Sequence, residues 1–306
     1  MKLSFALPHL MEIAAISQPW EAAVDGPAVL RIARRAEELG YDMVAVPEHL
    51  AMPPDQIAHS GSFWLQSTVA QAALAGATSR IRINSAVTIL PLHHPVMLAK
   101  MLATADWLSG GRIMASFGLG SMRGEYAYFG VPFERRGAMA DEYLAAMIAL
   151  WTQERPSFEG EFVRFRDVGF DPKPVQRPHL PIWIGGDSDA ALRRAARFAS
   201  GWIVSYRTRS EDIPARIDYL KSQPTWRERP FDVSYSLGTA RMTTGHAPSG
   251  DTRGSGRMSA QEIIDELSRY KALGVTSSSV PVPPVADEQA CLDYAQWVAE
   301  EVRPRL

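Results

Sequence analysis

Residues 182–205 read IWIGGDSDAALRRAARFASGWIVS. The apolar run Ile182–Ile184 empties into Gly185–Gly186, and Asp187 and Ser188 follow as helix-capping residues. An Ala/Arg/Leu helix pattern then runs to Gly201, where a second apolar run, Trp202–Ser205, begins. Strand, glycine turn, capped helix and strand is the unit from which parallel sheets are wound. Glycines let the main chain approach a ligand closely, and the free N–H groups of a helix start favour an anion, so the turn is a candidate phosphate site. Taken alone it is equally well a structural turn, since any tight strand-to-helix connection uses Gly with Asp or Ser.

Outward from this unit the same alternation fills the chain. Strand patterns fall at Leu3–Leu7, Met43–Val46, Ile81–Ile89, Ile113–Phe117, Ile182–Ile184, Trp202–Ser205, Val233–Arg241 and Val275–Val282. Helix patterns lie between them, at Pro27–Leu39, Phe63–Ala77, Pro95–Leu108, Arg135–Trp151, Ser188–Ala199, Ile213–Lys221, Ala260–Leu273 and Asp287–Val302. Gly40, Gly110, Gly201 and Gly274 stand just past apolar faces, where helices end. Eight strands, each followed by a helix, predict an α/β fold: a single (β/α)8 TIM barrel over residues 1–306. A doubly wound open sheet would carry a GxGxxG turn after its first strand, whereas Pro8–His9–Leu10 stands there. Two interruptions are expected. Residues 156–178 read as a small hairpin insertion with strand-like Phe162–Phe165 and a Pro-rich return, and residues 244–258 as a Gly-rich loop after strand 7. On the C-terminal face that loop is either a lid or a surface insertion.

Composition narrows the function classes. With 46% hydrophobic and 22% charged residues the chain is that of a globular protein, and a net charge of −2 gives no footprint for nucleic acid or a membrane surface. Arg outnumbers Lys 27 to 5, so no Arg can be singled out as a phosphate ligand by identity alone. The lone Cys291 excludes a disulfide framework and a Cys-based metal site. MKLSFALP lacks a signal-peptide core and no run reaches membrane-span length, which makes a cytoplasmic location the expectation.

In a barrel, chemistry sits at the C-terminal ends of the strands. Those positions hold His9, then Glu48–His49, then His93–His94, then Gly118 to Tyr126 with Gly120, Ser121, Arg123 and Glu125, then the diglycine turn, Tyr206–Arg207, and Arg241. Four of the seven His, at 9, 49, 93 and 94, fall on this face. His49, preceded by Glu48, is the acid/base candidate, since a neighbouring carboxylate can fix its tautomer. Adjacent His93 and His94 diverge and no HxH or HExxH accompanies them, so no metal site is expected. A Ser nucleophile lacks its GxSxG elbow, and for paired-acid hydrolysis only Glu48 and Glu125 qualify. An aldolase or isomerase barrel would need a Schiff-base Lys or paired acids, which the strand ends do not offer. Elimination leaves a site built around an organic cofactor bearing a phosphate, in an apolar pocket.

Five stretches carry a resemblance: AEELGYDMVAVPEHL (36–50), INSAVTILPLHHPVMLAKMLATADWLSGGRIMASFGLGS (83–121), FGVPFERRGAMADEYLAAMIALW (129–151), FEGEFVRFRDVGFDPKPVQRPHLPIWIGGDS (158–188) and AARFASGWI (195–203). Together they resemble the luciferase-like monooxygenase superfamily, and most of all its F420-dependent oxidoreductase-like branch. The resemblance implies a (β/α)8 barrel using the deazaflavin F420, or alternatively FMN as FMNH2. It implies hydride transfer between reduced deazaflavin and a small organic substrate, or, with FMNH2, a monooxygenase inserting one oxygen from O2. A non-catalytic flavin-binding protein of the same fold is a more distant alternative, which an acid/base pair disfavours.

Residue by residue, the resemblance implies His49 with Glu48 as catalytic. Ser85–Ala86 would form a non-prolyl cis peptide against the ring, with Thr88 a ring contact. The cofactor tail would meet Gly185, Gly186, Asp187 and Ser188, with Gly120 and Ser121 opposite. His9, His93, Arg123, Tyr206 and Arg207 would line the substrate pocket. A homodimer through Phe63–Ala77 and Pro95–Leu108 is implied, as is a separate flavin or F420 reductase. The chain departs from the family pattern in the short loop after Gly120, in residues 244–258, and in lacking a lysine cluster for a polyglutamate tail: Lys173, Lys221 and Lys271 lie apart.

Overall fold

The computed structural model describes residues 1–237 and 258–306. In chain order its elements are β1 (Lys2–Phe5), α1 (Gly26–Glu38), β2 (Met43–Val46), α2 (Ile57–Ser60), α3 (Ser67–Ala77), β3 (Arg82–Ser85), β4 (Thr88–Ile89), α4 (Pro95–Leu108), β5 (Ala115–Gly118), α5 (Arg123–Tyr128) and α6 (Arg136–Thr152). There follow the hairpin strands β6 (Phe158–Glu159) and β7 (Arg164–Phe165), then β8 (Ile182–Gly185), α7 (Asp189–Phe198), β9 (Gly201–Ile203), α8 (Ile213–Lys221), β10 (Asp232–Ser234), α9 (Ala260–Ala272), β11 (Ser277–Ser279) and α10 (Glu288–Trp297).

Nine strands hydrogen-bond in the order β3-β2-β1-β11-β10-β9-β8-β5-β4, every pair parallel. β3 and β4 are two pieces of one stave, so the ends of that order meet and eight staves close a barrel, as the sequence predicts. The stretch Ile81–Ile89, expected as one strand, is broken by a cis peptide at Ala86–Val87. The expected position was Ser85–Ala86, one residue earlier; the structure corrects it.

Where the ladder lapses, side chains take over. The Ser85 hydroxyl donates to Ser116 O (2.9 Å) and accepts from Ser116 N (3.0 Å), standing in for a peptide group between β3 and β5. From α3, Gln71 Nε2 donates to Ile83 O (3.2 Å) and Met114 O (2.8 Å) across the same seam.

Alternation along the staves divides the interior. Leu3, Phe5, Val44, Val46, Ile83, Phe117, Ile184 and Trp202 face outward into the helix layer and form the main core. Helix ends carry their expected punctuation. Asp25 caps α1 by accepting from Ala28 N (2.8 Å), Ser188 caps α7 through Ala191 N (3.2 Å), and Ser259 with Glu262 makes a capping box for α9. The hairpin lies where it was expected, though its first strand, Phe158–Glu159, precedes the stretch the alternation singled out. Of the expected Gly-rich loop, residues 244–257 lie outside the described residues, as does Arg241. Among the described residues no helix is long and apolar enough to cross a membrane.

Candidate active site

Glu48 and His49 leave the second stave on opposite sides. Glu48 keeps the outward parity of Val44 and Val46 and is 3% exposed. Its Oε2 accepts from Ser67 Oγ (2.7 Å), Gln66 Nε2 (2.9 Å) and Ser67 N (3.2 Å), while Oε1 accepts from Ile89 N (3.0 Å) and lies 2.8 Å from His93 Nε2. Burial acts to raise this carboxyl's pKa, but the bonds from His93, Ser67 and Ile89 outweigh it and hold it below the ordinary carboxylate value. The group is a buried anion that ties the start of α3 to β4.

His49 has a different partner. Its Nδ1 lies 2.8 Å from Oε2 of Glu125, a buried residue on α5 whose Oε1 accepts from Leu50 N at 2.7 Å. Trp64 meets the imidazole edge to face at 4.6 Å. The expectation that Glu48 orients His49 is therefore corrected: consecutive residues of an extended chain point to opposite sides, so each histidine takes a carboxylate from elsewhere. The dyads are His49–Glu125 and His93–Glu48. Glu125 carries a site role that the strand-end reading noticed only as a spare acid.

The other expected site residues divide. Ser85 is fully buried at the seam, and Thr88, 2% exposed, shares a hydrogen bond with Ser67 Oγ (2.8 Å). Ala86 faces the mouth. Behind it, the Val87 side chain occupies space that two glycines leave open: a Cβ on Gly118 would stand 2.5 Å from Val87 Cγ2, and one on Gly185 2.9 Å from Val87 Cγ1. Gly185 thus makes room for a neighbouring side chain. Gly186 has φ +109°, a conformation that favours glycine, and Trp202 Nε1 donates to its carbonyl (2.7 Å). Asp187 accepts from Thr208 Oγ1 (2.6 Å), and Arg216 donates to Asp187 O (2.5 Å) and Asp189 (2.9 Å), placing a guanidinium beside the first turn of α7.

Gly120 has φ +64° and packs on Ile89, while Ser121 is exposed. His9 stacks on Phe63 at 4.3 Å and its Nδ1 lies 2.5 Å from Val24 O. Arg123 does not line the pocket wall: it is exposed, paired with Glu134 and set over the Phe133 ring at 4.5 Å. The Tyr126 hydroxyl is bonded to Leu119 O within the fold. Arg207 lies over the Tyr206 ring at 5.7 Å.

A cavity of about 1440 Å³ opens at the C-terminal mouth. His9, Ala86 and Tyr206 line it together with Leu7, Pro47 and Tyr235; His49 stands two residues beyond Pro47. The volume is large enough for a flat ring of flavin size, and the first turn of α7, which is not part of that lining, has main-chain donors that would suit an anionic tail. Its leading N–H groups have no intrahelical acceptor, and a Cβ on Gly186 would meet only Ala191, at 3.6 Å.

Comparison with known proteins agrees with this architecture. The model of the family described as luciferase-like monooxygenase matches residues 11–279. An uncharacterised protein of Mycobacterium tuberculosis is 34% identical over 283 residues, covering 88% of this chain and 92% of the relative. The FMNH2-dependent dimethylsulfone monooxygenase of Pseudomonas fluorescens is 30% identical over 229 residues, 73% of this chain and 60% of that protein. Among solved structures, a monooxygenase from Streptomyces bottropensis superposes with a TM-score of 0.78 at 21% identity, covering 99% of both chains. An F420-dependent secondary alcohol dehydrogenase does so with a TM-score of 0.73 at 16% identity, covering 99% of this chain and 98% of its own.

Proposed function

The chain belongs to the luciferase-like monooxygenase family, and from that premise we propose that it is an F420-dependent oxidoreductase acting on a small organic substrate. The observation that carries the reading is the His49–Glu125 dyad beside a mouth wide enough for a tricyclic ring. Reduced deazaflavin, when bound, supplies a hydride. His49 moves the accompanying proton, and the Glu125 carboxylate on its Nδ1 orients the imidazole for it. Ala86 forms a flat wall of the mouth. Gly186, Ser188 and the first turn of α7 hold the anionic tail, with Arg216 adding positive charge.

A second reading, an FMNH2-dependent monooxygenase, is favoured by the named activity of the Pseudomonas fluorescens relative. In it the same residues serve, with O2 as co-substrate and a separate reductase supplying reduced cofactor. The homodimer of the family reading is supported by exposed apolar side chains on α3 and α4: Val69, Met97, Trp107 and Leu108.

Differential scanning fluorimetry with F420, FMN and FAD in parallel separates the readings. The true cofactor at a hundredfold excess over its Kd stabilises by about 2.7 kcal/mol and raises Tm accordingly. Stabilisation by FMN alone, together with oxygen consumption on reduction, would replace F420 by the second reading; no shift with any of the three overturns both.

A further inference from the structure

The mouth cavity does not stop at the strand ends. It continues down the barrel axis to Trp183 and Met43, whose side chains, with Met114, plug the lumen. A Cβ on Gly201 would overlap the Trp183 indole, which fixes that ring inside the barrel. Barrel interiors of this kind are filled by layers of branched apolar side chains. Above Trp183 this one is polar. Ser4 of β1 pairs in register with Ser279 of β11, and Ser234 of β10 with Ser277, so four serines on three adjacent staves share the inward face.

Ser4, Ser234 and Ser279 line the cavity, and no hydrogen bond engages their hydroxyls among the described residues. Ser277 Oγ, deeper and fully buried, has no partner at all among them. Across the lumen Asn84, 2% exposed, accepts from Ser116 Oγ (2.8 Å) through its carboxamide oxygen. Its NH2 group has no partner among the described residues, and Asn84 lines the same cavity. The nearly buried Asn84 donor and the buried Ser277 hydroxyl are costly to leave unmatched, and the half-buried Ser4, Ser234 and Ser279 hydroxyls beside them offer further hydrogen bonds to a ligand. Among the described residues no charged side chain of the staves lines this level: the carboxylates and guanidiniums of the cavity wall, such as Glu21, Arg209 and Glu266, belong to the outer loops and α9. An ion drawn into the lumen would lose water without gaining a counter-charge.

We propose that the lumen above Trp183, walled by Ser4, Ser234, Ser279 and Asn84, is a subsite for an uncharged hydroxyl- or carbonyl-bearing end of the substrate. The apolar remainder of that molecule lies against Leu7, Leu10 and Tyr206 nearer the mouth. This rests on the oxidoreductase reading for the word substrate; the same chemistry is also offered by the carbonyl edge of a flavin-type ring.

Binding to the cofactor-free protein tests it. Cyclohexanone and cyclohexanol are compared by calorimetry with the charged isosteres cyclohexanecarboxylate and cyclohexylamine, and with lumiflavin, a ring without a tail. The neutral probes are expected to bind at least about tenfold tighter than either charged one, the desolvation penalty of an unpaired ion setting the sign. In the Ser4→Ala/Ser279→Ala variant their affinity falls about tenfold while that of lumiflavin is unchanged. Neutral probes that bind no better than the carboxylate overturn the proposal, as does a double variant that weakens lumiflavin and leaves cyclohexanone untouched. If lumiflavin, FMN and F420 all fail to bind wild-type protein while the ketone behaves as expected, the subsite stands and the oxidoreductase reading falls.

Discussion

At the scale of single residues, the two carboxylate–histidine pairs make different demands. On the proposed mechanism His49→Ala removes the proton carrier, and it should lower kcat by roughly 10²–10⁴-fold with little change in Tm, read by steady-state kinetics beside a melting curve. Glu125→Gln should lower kcat while leaving substrate KM nearly unchanged, because it touches His49 and not the cavity wall. Glu48 should behave otherwise. Its pKa is lowered in the fold, so its contribution to stability is complete above the ordinary carboxyl value and is lost as pH falls through the lowered one. Glu48→Gln should therefore cost about 1–3 kcal/mol near neutrality, and its Tm should approach that of the wild type only as pH falls through the lowered folded-state pKa, where both side chains are neutral. A variant whose Tm deficit stays constant across that range would refute this role. His49 stood out in the sequence because a strand-end histidine is conspicuous. Its true partner was not legible: Glu125 lies 76 residues away, on a six-residue helix that no periodicity announces. One clue was present, since the parity Val44–Val46–Glu48 already sends the carboxylate outward.

Among the elements, the staves and their helices could be read from period and punctuation because each buries one apolar stripe against its neighbour. The third stave could not, because its break at Ala86–Val87 leaves the alternation of Ile81, Ile83, Thr88 and Ile89 looking like one strand. Nor could the purpose of Gly118, noted only at a strand end, or of Gly185, read as a ligand glycine, since only three dimensions bring Val87 against both. That packing is testable. Gly118→Ala should destabilise by about 1–3 kcal/mol through overpacking. Val87→Ala, which vacates the space, should suppress most of that cost in the double variant, giving a coupling energy well above the ~0.5 kcal/mol expected of independent sites. Additive chemical-denaturation energies would show that Val87 does not fill the space at those glycines.

For the molecule as a whole, eight alternating units specified a barrel, and that topology pointed to its C-terminal end for the candidate site before any side chain was placed. The opposite surface of α3 and α4 carries a different expectation. Trp107 and Leu108 are 59% and 69% exposed at the end of α4, and replacing them together by Lys should shift a homodimer to monomer in sedimentation without altering the melting cooperativity of the barrel. An unchanged sedimentation coefficient would place any self-association elsewhere. The seam between β3 and β5 bears on the molecule at the same scale. All round the cylinder the hoop of bonds is peptide to peptide, but at Ser85 one link is a hydroxyl that gives to Ser116 O and takes from Ser116 N. Main-chain links are indifferent to mutation; this one is not. The roundness of the barrel, elsewhere a property of the polymer alone, rests at that joint on the main-chain bonds of Ile83 to Arg112 and Met114, on Gln71, and on one oxygen atom that one codon can delete.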